Sequence, residues 1–291
     1  MNKIKRKVDI VNIEDTKKDI NIIHLADIHF SINTKTSQLD EIKKMIYVNN
    51  PDYIMITGDL VDDSSIIKNK YKIVELVSFL SDISEIAPVI ISLGNHDILV
   101  NSDKLFFKKL NELNNIYVLD DDVYVDEYVY VAGFTLPNNY YYNIEHDESV
   151  RVLLEYLTEQ KKILKRKSRG LVGIALIHSP ICLTEKEVLD KLSGFDLILS
   201  GHTHGGMIPE FMDRFFPKNI GLIAPNKKLI PDVARGRIDK YVKNRRITII
   251  INSGITKLSR KSGKIFSLFN FIYNMSVNKI IITKKRGIRY E

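Results

Sequence analysis

Six short runs rich in Ile, Val and Leu divide the chain, at residues 22–26, 53–57, 89–93, 171–177, 197–199 and 247–251. Each stops abruptly at polar residues. Runs this short and this continuously apolar read as strands buried on both faces, because a strand with one wet face would alternate. Between them, residues 37–48, 70–80, 103–113, 149–165 and 184–192 carry apolar side chains at helical spacing. The alternation of strand, loop and helix predicts an α/β fold. Residues 117–132 differ: β-rich runs broken by Asp120, Asp121 and Asp122 predict a hairpin, hence a mixed sheet. No repeat or Gly/Ser linker splits the sequence, which reads as a charged segment over 1–20 and a single domain over 21–291.

With 44% hydrophobic and 27% charged residues in 291, the chain has ample material for a core, and disorder, collagen and coiled coil are excluded. Its one cysteine, Cys182, rules out an intrachain disulfide and a multi-thiolate zinc site, so any metal must be held by nitrogen and oxygen. Cys182 itself reads as a small buried residue, with no activating partner evident in the sequence. The longest stretch free of Asp, Glu, Lys and Arg, residues 128–144, contains Gly133, Pro137 and three Asn, and so does not read as a membrane span. Lys3, Lys5, Arg6 and Lys7 are followed by Asp9, Glu14, Asp15 and Asp19 where a signal peptide would be apolar. A cytoplasmic location is the expectation.

The chemistry-bearing residues cluster where the apolar runs end. Asp27-Ile28-His29 follows the first, Gly58-Asp59-Leu60-Val61-Asp62 the second, Gly94-Asn95-His96-Asp97 the third, His178-Ser179-Pro180 the fourth, and Gly201-His202-Thr203-His204-Gly205-Gly206 the fifth. Five of the seven histidines lie in these clusters. Since α/β sheets bind ligands beyond the carboxyl ends of their strands, five loops are expected to meet in one crevice. Asp27, His29, Asp59, Asn95, His178, His202 and His204 together offer carboxylates, imidazoles and an amide carbonyl, a donor set suited to two divalent ions such as Zn, Fe, Mn or Ni. If the segment is extended, alternation turns Asp27 and His29 the same way, and likewise His202 and His204. Asp62 and Asp97 suit either helix capping or the orientation of imidazoles. His24, inside a strand, reads as a packed histidine rather than a ligand, and His146 is left without a role.

The ordered set D-x-H, G-D-x-x-D, G-N-H-D, H-x-P and G-H-T-H-G-G resembles the calcineurin-like metallophosphoesterases, and its last motif is similar to the YkuE/YaeI-type bacterial branch. The resemblance runs from about residue 22 to residue 254. It implies a two-sheet β-sandwich of mixed sheets flanked by helices, in αββα layers. It further implies one ion on Asp27, His29 and His204, a second on Asn95, His178 and His202, and Asp59 bridging them, with manganese the favoured metal. A metal-bridging hydroxide would attack phosphorus, and His96 would protonate the leaving oxygen or stabilise the transition state. Met207 departs from the branch, which commonly carries Gln there.

Charge is unevenly distributed. Residues 214–291 hold 19 Lys or Arg against Asp232, Asp239 and Glu291, a net of +16, while the remainder is net −9. Within this part, residues 265–278 read as an uncharged amphipathic helix whose apolar face includes Phe266, Phe269 and Tyr273. Phe211, Phe215 and Phe216 would extend that apolar surface. These apolar side chains either cap the core, as amphipathic helices mostly do, or, with the flanking lysines and arginines over 257–286, suit an anionic membrane surface, and the second reading points to a phosphodiester or pyrophosphate on a lipid-linked substrate at the inner membrane face. The alternatives are a nuclease with nucleic acid on the basic region, a phosphomonoesterase, or a scaffold that retains the fold without catalysis.

Overall fold

The computed structural model describes residues 4–14, 16–100, 105–142, 145–164, 170–225, 229–255 and 275–284. Twelve strands among them form two six-stranded sheets. The first runs in the order β1 (Lys5–Asn12), β12 (Ser276–Thr283), β2 (Ile20–Leu25), β3 (Tyr53–Thr57), β4 (Val89–Ser92), β5 (Ile116–Leu119). The second runs β10 (Gly236–Val242), β11 (Arg245–Ile251), β9 (Leu197–Ser200), β8 (Val172–Ile177), β7 (Val129–Phe134), β6 (Asp122–Val125). β2 to β5 are parallel, as are β11, β9, β8 and β7; antiparallel pairs lie only at β12–β2, β10–β11 and β6–β7. Both sheets are therefore mixed. The expected hairpin is β6–β7, whereas β5 belongs to the first sheet, so the chain changes sheet at Asp120 and Asp121.

The continuous apolar runs are explained by burial on both strand faces. Ile20, Ile22, Met55, Ile90, Ile174, Leu176, Leu197 and Leu199 fill the space between the sheets. Their neighbours Ile23, Leu25, Ile54, Ile56 and Ile91 face outward against α1 (Thr36–Asn49), α3 (Lys70–Ser84) and α5 (Leu105–Leu110). On the far side, Ala132, Ala175, Ile177 and Ile198 meet α7 (His146–Glu159) and α9 (Lys186–Lys191). This gives the αββα layering, with the shorter α2 (Ser65–Lys68), α4 (Asn95–Val100), α6 (Asn138–Tyr142) and α8 (Lys161–Leu164) at the connections.

Two strands depart from the sequence reading. Residues 5–12, inside the charged N-terminal segment, form the edge strand β1, whose alternation is disguised because its outward residues include both charges and the exposed Val8 and Ile10. Residues 276–278, the end of the expected amphipathic helix, instead open β12, where Ser276, Val277 and Asn278 are buried between β1 and β2. The rest of that helix, and the basic residues 257, 260, 261, 264, 285 and 286, lie outside the described residues.

Several basic residues of the C-terminal part have structural partners. Arg237 donates to the Ile10 carbonyl at 2.6 Å and Arg246 to the Asn12 carbonyl at 2.6 Å, lacing the edges of the two sheets together. Arg245 pairs with Asp196 at 2.8 Å, and Arg235 donates to the carbonyls of Ile220, Phe216 and Pro217. Phe215 is 68% exposed. Among the described residues, no helix is long and apolar enough to cross a membrane.

Candidate metal centre

The five polar clusters converge at the carboxyl ends of β2, β3, β4, β8 and β9. The residues that bear chemistry leave the strands through sharp left-handed turns: φ is 50° at Asp27, 43° at His29, 51° at Asp59, 66° at His202 and 47° at His204. Neither D-x-H nor H-T-H is extended, so simple alternation is not what aligns their side chains. Non-glycine residues in this region carry backbone strain, which persists where surrounding contacts over-determine it. Here Asp27 accepts hydrogen bonds from the His202 backbone N–H on both carboxylate oxygens, at 3.1 and 2.9 Å, tying the first and last clusters together. Asp59 Oδ1 accepts from the His96 N–H at 2.9 Å, tying the second to the third. A β-carbon on Gly94 would lie 2.2 Å from that same Oδ1, so only glycine fits beneath Asp59.

Three groups of ligand atoms result. Asp27, His29 and His204 form one, Asp59, His178 and His202 a second, and His29, Asp62 and His96 a third that shares His29 with the first, each with its donor atoms within 4.8 Å of one another. Asp59 Oδ2 stands 3.5 Å from His29 Nε2 and 3.2 Å from His178 Nε2, so it sits between the first two groups. Asp27 Oδ1 lies 3.9 Å from His29 Nε2 and 3.8 Å from His204 Nε2. His178 donates through Nδ1 to the Thr57 carbonyl at 2.7 Å, which fixes its tautomer and turns Nε2 toward Asp59.

A direct test of whether this set suits cations is its unspent hydrogen-bonding capacity. His29 Nε2, His178 Nε2, His202 Nε2 and Asn95 Oδ1 are all buried without a protein hydrogen-bond partner. Buried polar atoms are nearly always paired, so three orphaned imidazole nitrogens gathered at two buried carboxylates suit a place for ions, and Asn95 Oδ1, one residue before His96, is a fourth buried orphan. Nitrogen and oxygen donors of this mixture fit borderline divalent metals.

The metal-free electrostatics agree. Burial opposes charge on His29, but the carboxylates of Asp62, Asp59 and Asp27 outweigh it and lift the imidazole to about 9. His178 is likewise opposed by burial and raised to about 9, chiefly by Asp59. Burial pushes Asp59 up, yet His178, His29 and His96 outweigh it and hold the carboxyl well below its ordinary range. Burial, with His178 adding to it, keeps His202 neutral, and burial outweighing Asp27 brings His204 down to about 4. Protons thus occupy places that cations would take.

The remaining candidates separate. Asp62 faces histidines: its Oδ1 lies 3.4 Å from His29 Nδ1, and its carbonyl accepts from His96 Nδ1 at 2.6 Å. Asp97 touches no imidazole; it accepts from the backbone N–H of Leu60, Val61 and Gly94 and clamps two loops. Burial and the neighbouring Asp59 raise its carboxyl to about 6. Asn95, His96 and Asp97 occupy the first turn of α4. His96 packs edge-on to His29 at 4.7 Å, with its side chain 36% exposed. His24 is a packed histidine, hydrogen-bonded through Nε2 to Thr57 Oγ1 at 2.8 Å. Tyr141, which no motif singles out, lays its ring 5.2 Å from His202 and 6.0 Å from His178.

The calcineurin-like phosphoesterase family model matches residues 20–206, from the start of β2 through the second glycine of the last motif, and the chain belongs to that family. Over 202 residues it is 28% identical to an uncharacterized metallophosphoesterase of Campylobacter jejuni, covering 69% of this chain and 48% of that protein. It is 21% identical over 271 residues to a UDP-2,3-diacylglucosamine pyrophosphatase of Chlamydia muridarum, covering 81% of this chain and 78% of the relative. Among solved structures, a dimetal phosphatase from Danio rerio aligns at 12% identity and a TM-score of 0.44, over 81% of this chain and 87% of the other. The chain spans about half the length of the curated relatives from Campylobacter jejuni and Helicobacter pylori that it matches.

Proposed function

We propose that the chain is a metal-dependent phosphoric ester hydrolase that works with two divalent ions and cleaves a phosphodiester or pyrophosphate bond. The observation that carries this reading is the set of buried imidazole nitrogens without hydrogen bonds, His29 Nε2, His178 Nε2 and His202 Nε2, gathered around Asp27 and Asp59. In this reading Asp27, His29 and His204 would hold one ion and Asn95, His178 and His202 the other, with Asp59 as a ligand available to both. Ions so held supply Lewis acidity at phosphorus and neutralise charge on its oxygens, and manganese is the first to test.

The chain's own residues do the rest. Asp62 fixes His29 and His96 in place. His96 commits Nδ1–H to the Asp62 carbonyl, which leaves Nε2 to carry the proton delivered to the departing oxygen. The Chlamydia relative supports a substrate class, a pyrophosphate joining a nucleotide to an acylated sugar. We place such a substrate at an anionic membrane surface, approached through the basic residues of 257–286 and the exposed Phe215.

The test compares manganese-dependent hydrolysis of bis-p-nitrophenyl phosphate and p-nitrophenyl phosphate by the native chain and by Asp59→Asn. Faster diester cleavage, lowered by more than about a thousandfold in Asp59→Asn, is the expected result. Undiminished turnover in that variant overturns the site assignment, and a monoester preference overturns the substrate class.

A further inference from the structure

A second constellation lies outside the metal centre. His146 opens α7, Glu185 immediately precedes α9, and Cys182 lies in the turn four residues past His178. The Cys182 Sγ is 3.9 Å from His146 Nδ1, and the opposite ring nitrogen, Nε2, is 3.2 Å from Glu185 Oε1. We propose that Cys182, His146 and Glu185 form a reactive thiol site that is modified by small peroxide-class oxidants. The proposal does not rest on the function assigned to the metal centre.

The order of contacts is the argument. A carboxylate at Nε2 keeps a proton on that nitrogen and leaves the Nδ1 lone pair facing the sulfur, the arrangement in which an imidazole accepts a thiol proton. Glu185 then faces the resulting imidazolium. Because sulfur and carboxylate bind opposite edges of one ring, the donors lie along a line rather than around a point, which suits proton relay and not a metal cage. A cleft lined by His146, Cys182, Thr184, Glu185, Pro231 and Asp232 gives access, and the 4% exposure of Cys182 restricts entry to small reagents. The other titratable neighbours are Asp232, across the cleft, and the Tyr140 phenol, which donates to the Ile181 carbonyl and is coupled electrostatically to Cys182.

In the oxidation, the thiolate attacks one oxygen of hydrogen peroxide. An S–O bond forms as the O–O bond breaks, sulfur loses two electrons to the peroxide, and the departing hydroxide takes the His146 proton to leave as water. The product is a sulfenic acid.

Cys182 is the sole thiol in the chain, so modification reports on it alone. The His146 and Glu185 side chains are 44% and 39% exposed, so their substitution spares the core. The experiment measures iodoacetamide alkylation against pH for the native chain, His146→Gln and Glu185→Gln, with circular dichroism to verify the fold, and traps the peroxide product with dimedone. At about pH 6 the native chain should react at least tenfold faster than His146→Gln, with Glu185→Gln between them and the rates converging above about pH 9.5, where an unassisted thiol ionises. Peroxide should give one dimedone adduct, located at Cys182 by mass spectrometry. Equal alkylation rates in native chain and His146→Gln at pH 6, or a Cys182 that reacts only after denaturation, would overturn the proposal.

Discussion

His24 and His29 are five residues apart at one end of β2, both are withdrawn from solvent, and their imidazoles are driven in opposite directions. His24 meets only the Thr57 hydroxyl among side chains that could hold its charge, and burial takes it down to about 3. His29 suffers burial too, but three carboxylates reverse it and carry the ring to about 9. Burial alone therefore does not make a functional histidine; burial among uncompensated carboxylates does. The difference also separates a residue that serves the fold from one poised to exchange its proton for a cation.

The sharpest test of this contrast is metal uptake against pH. In the metal-free chain His29 and His178 hold protons below about 9, and a cation must displace both. The combined affinity for two manganese ions should therefore fall roughly a hundredfold per pH unit below 9, or about 10⁴-fold from pH 8 to pH 6. Isothermal titration calorimetry in buffers of different ionisation heat should register about two protons released at pH 7. Affinity that stays level across this range would break the comparison. A smaller effect is expected at His96, for which we propose proton delivery rather than ligation. His96→Gln should lower turnover by about 10²–10³ on a diester with an alkyl leaving group, and much less on bis-p-nitrophenyl phosphate, whose leaving group needs no proton. Equal losses on both substrates would reassign His96 to binding.

The candidate metal centre was legible because each of its residues follows a continuous apolar run, and such runs in an α/β chain stop at one crevice. How those residues converge was not legible. Alternation along an extended segment fails at Asp27, His29, His202 and His204, because their left-handed turns depend on hydrogen bonds such as His202 N–H to Asp27, made between residues 175 positions apart. Two strands were hidden for another reason. β1 presents charged residues and exposed Val8 and Ile10 to water, so no buried stripe marks it. The first three residues of β12, 276–278, read as the end of an amphipathic helix because polar Ser276 and Asn278 are buried there and Asn278 continues the helical spacing of polar residues. Of the Cys182 partners, Glu185 lies only three residues away, but His146 stands 36 residues off on a separate element, and nothing local links it to a cysteine.

The last prediction concerns His24, where the contrast is purely one of stability. Its folded-state value, about 3, lies below its ordinary value of 6.5, so the neutral ring is the form the fold accepts. Between those limits the unfolded chain binds the extra proton, and the sign follows: stability from this residue is intact above pH 6.5 and is lost as the pH falls toward 3. At pH 4 the loss is about 3.5 kcal/mol, from 2.5 pH units at roughly 1.4 kcal/mol each. Urea unfolding of the metal-free native chain at pH 7 and pH 4 should show it, superimposed on the losses from His202 and His204, which are depressed as well. His24→Gln leaves those two in place and removes only the first, so the variant should be less stable than the native chain at pH 7 and lose about 3.5 kcal/mol less on acidification. If both chains lose the same amount, then His24 accepts its proton without cost, and β2 holds a cation-tolerant position where the packing of His24 against Thr57 indicates none.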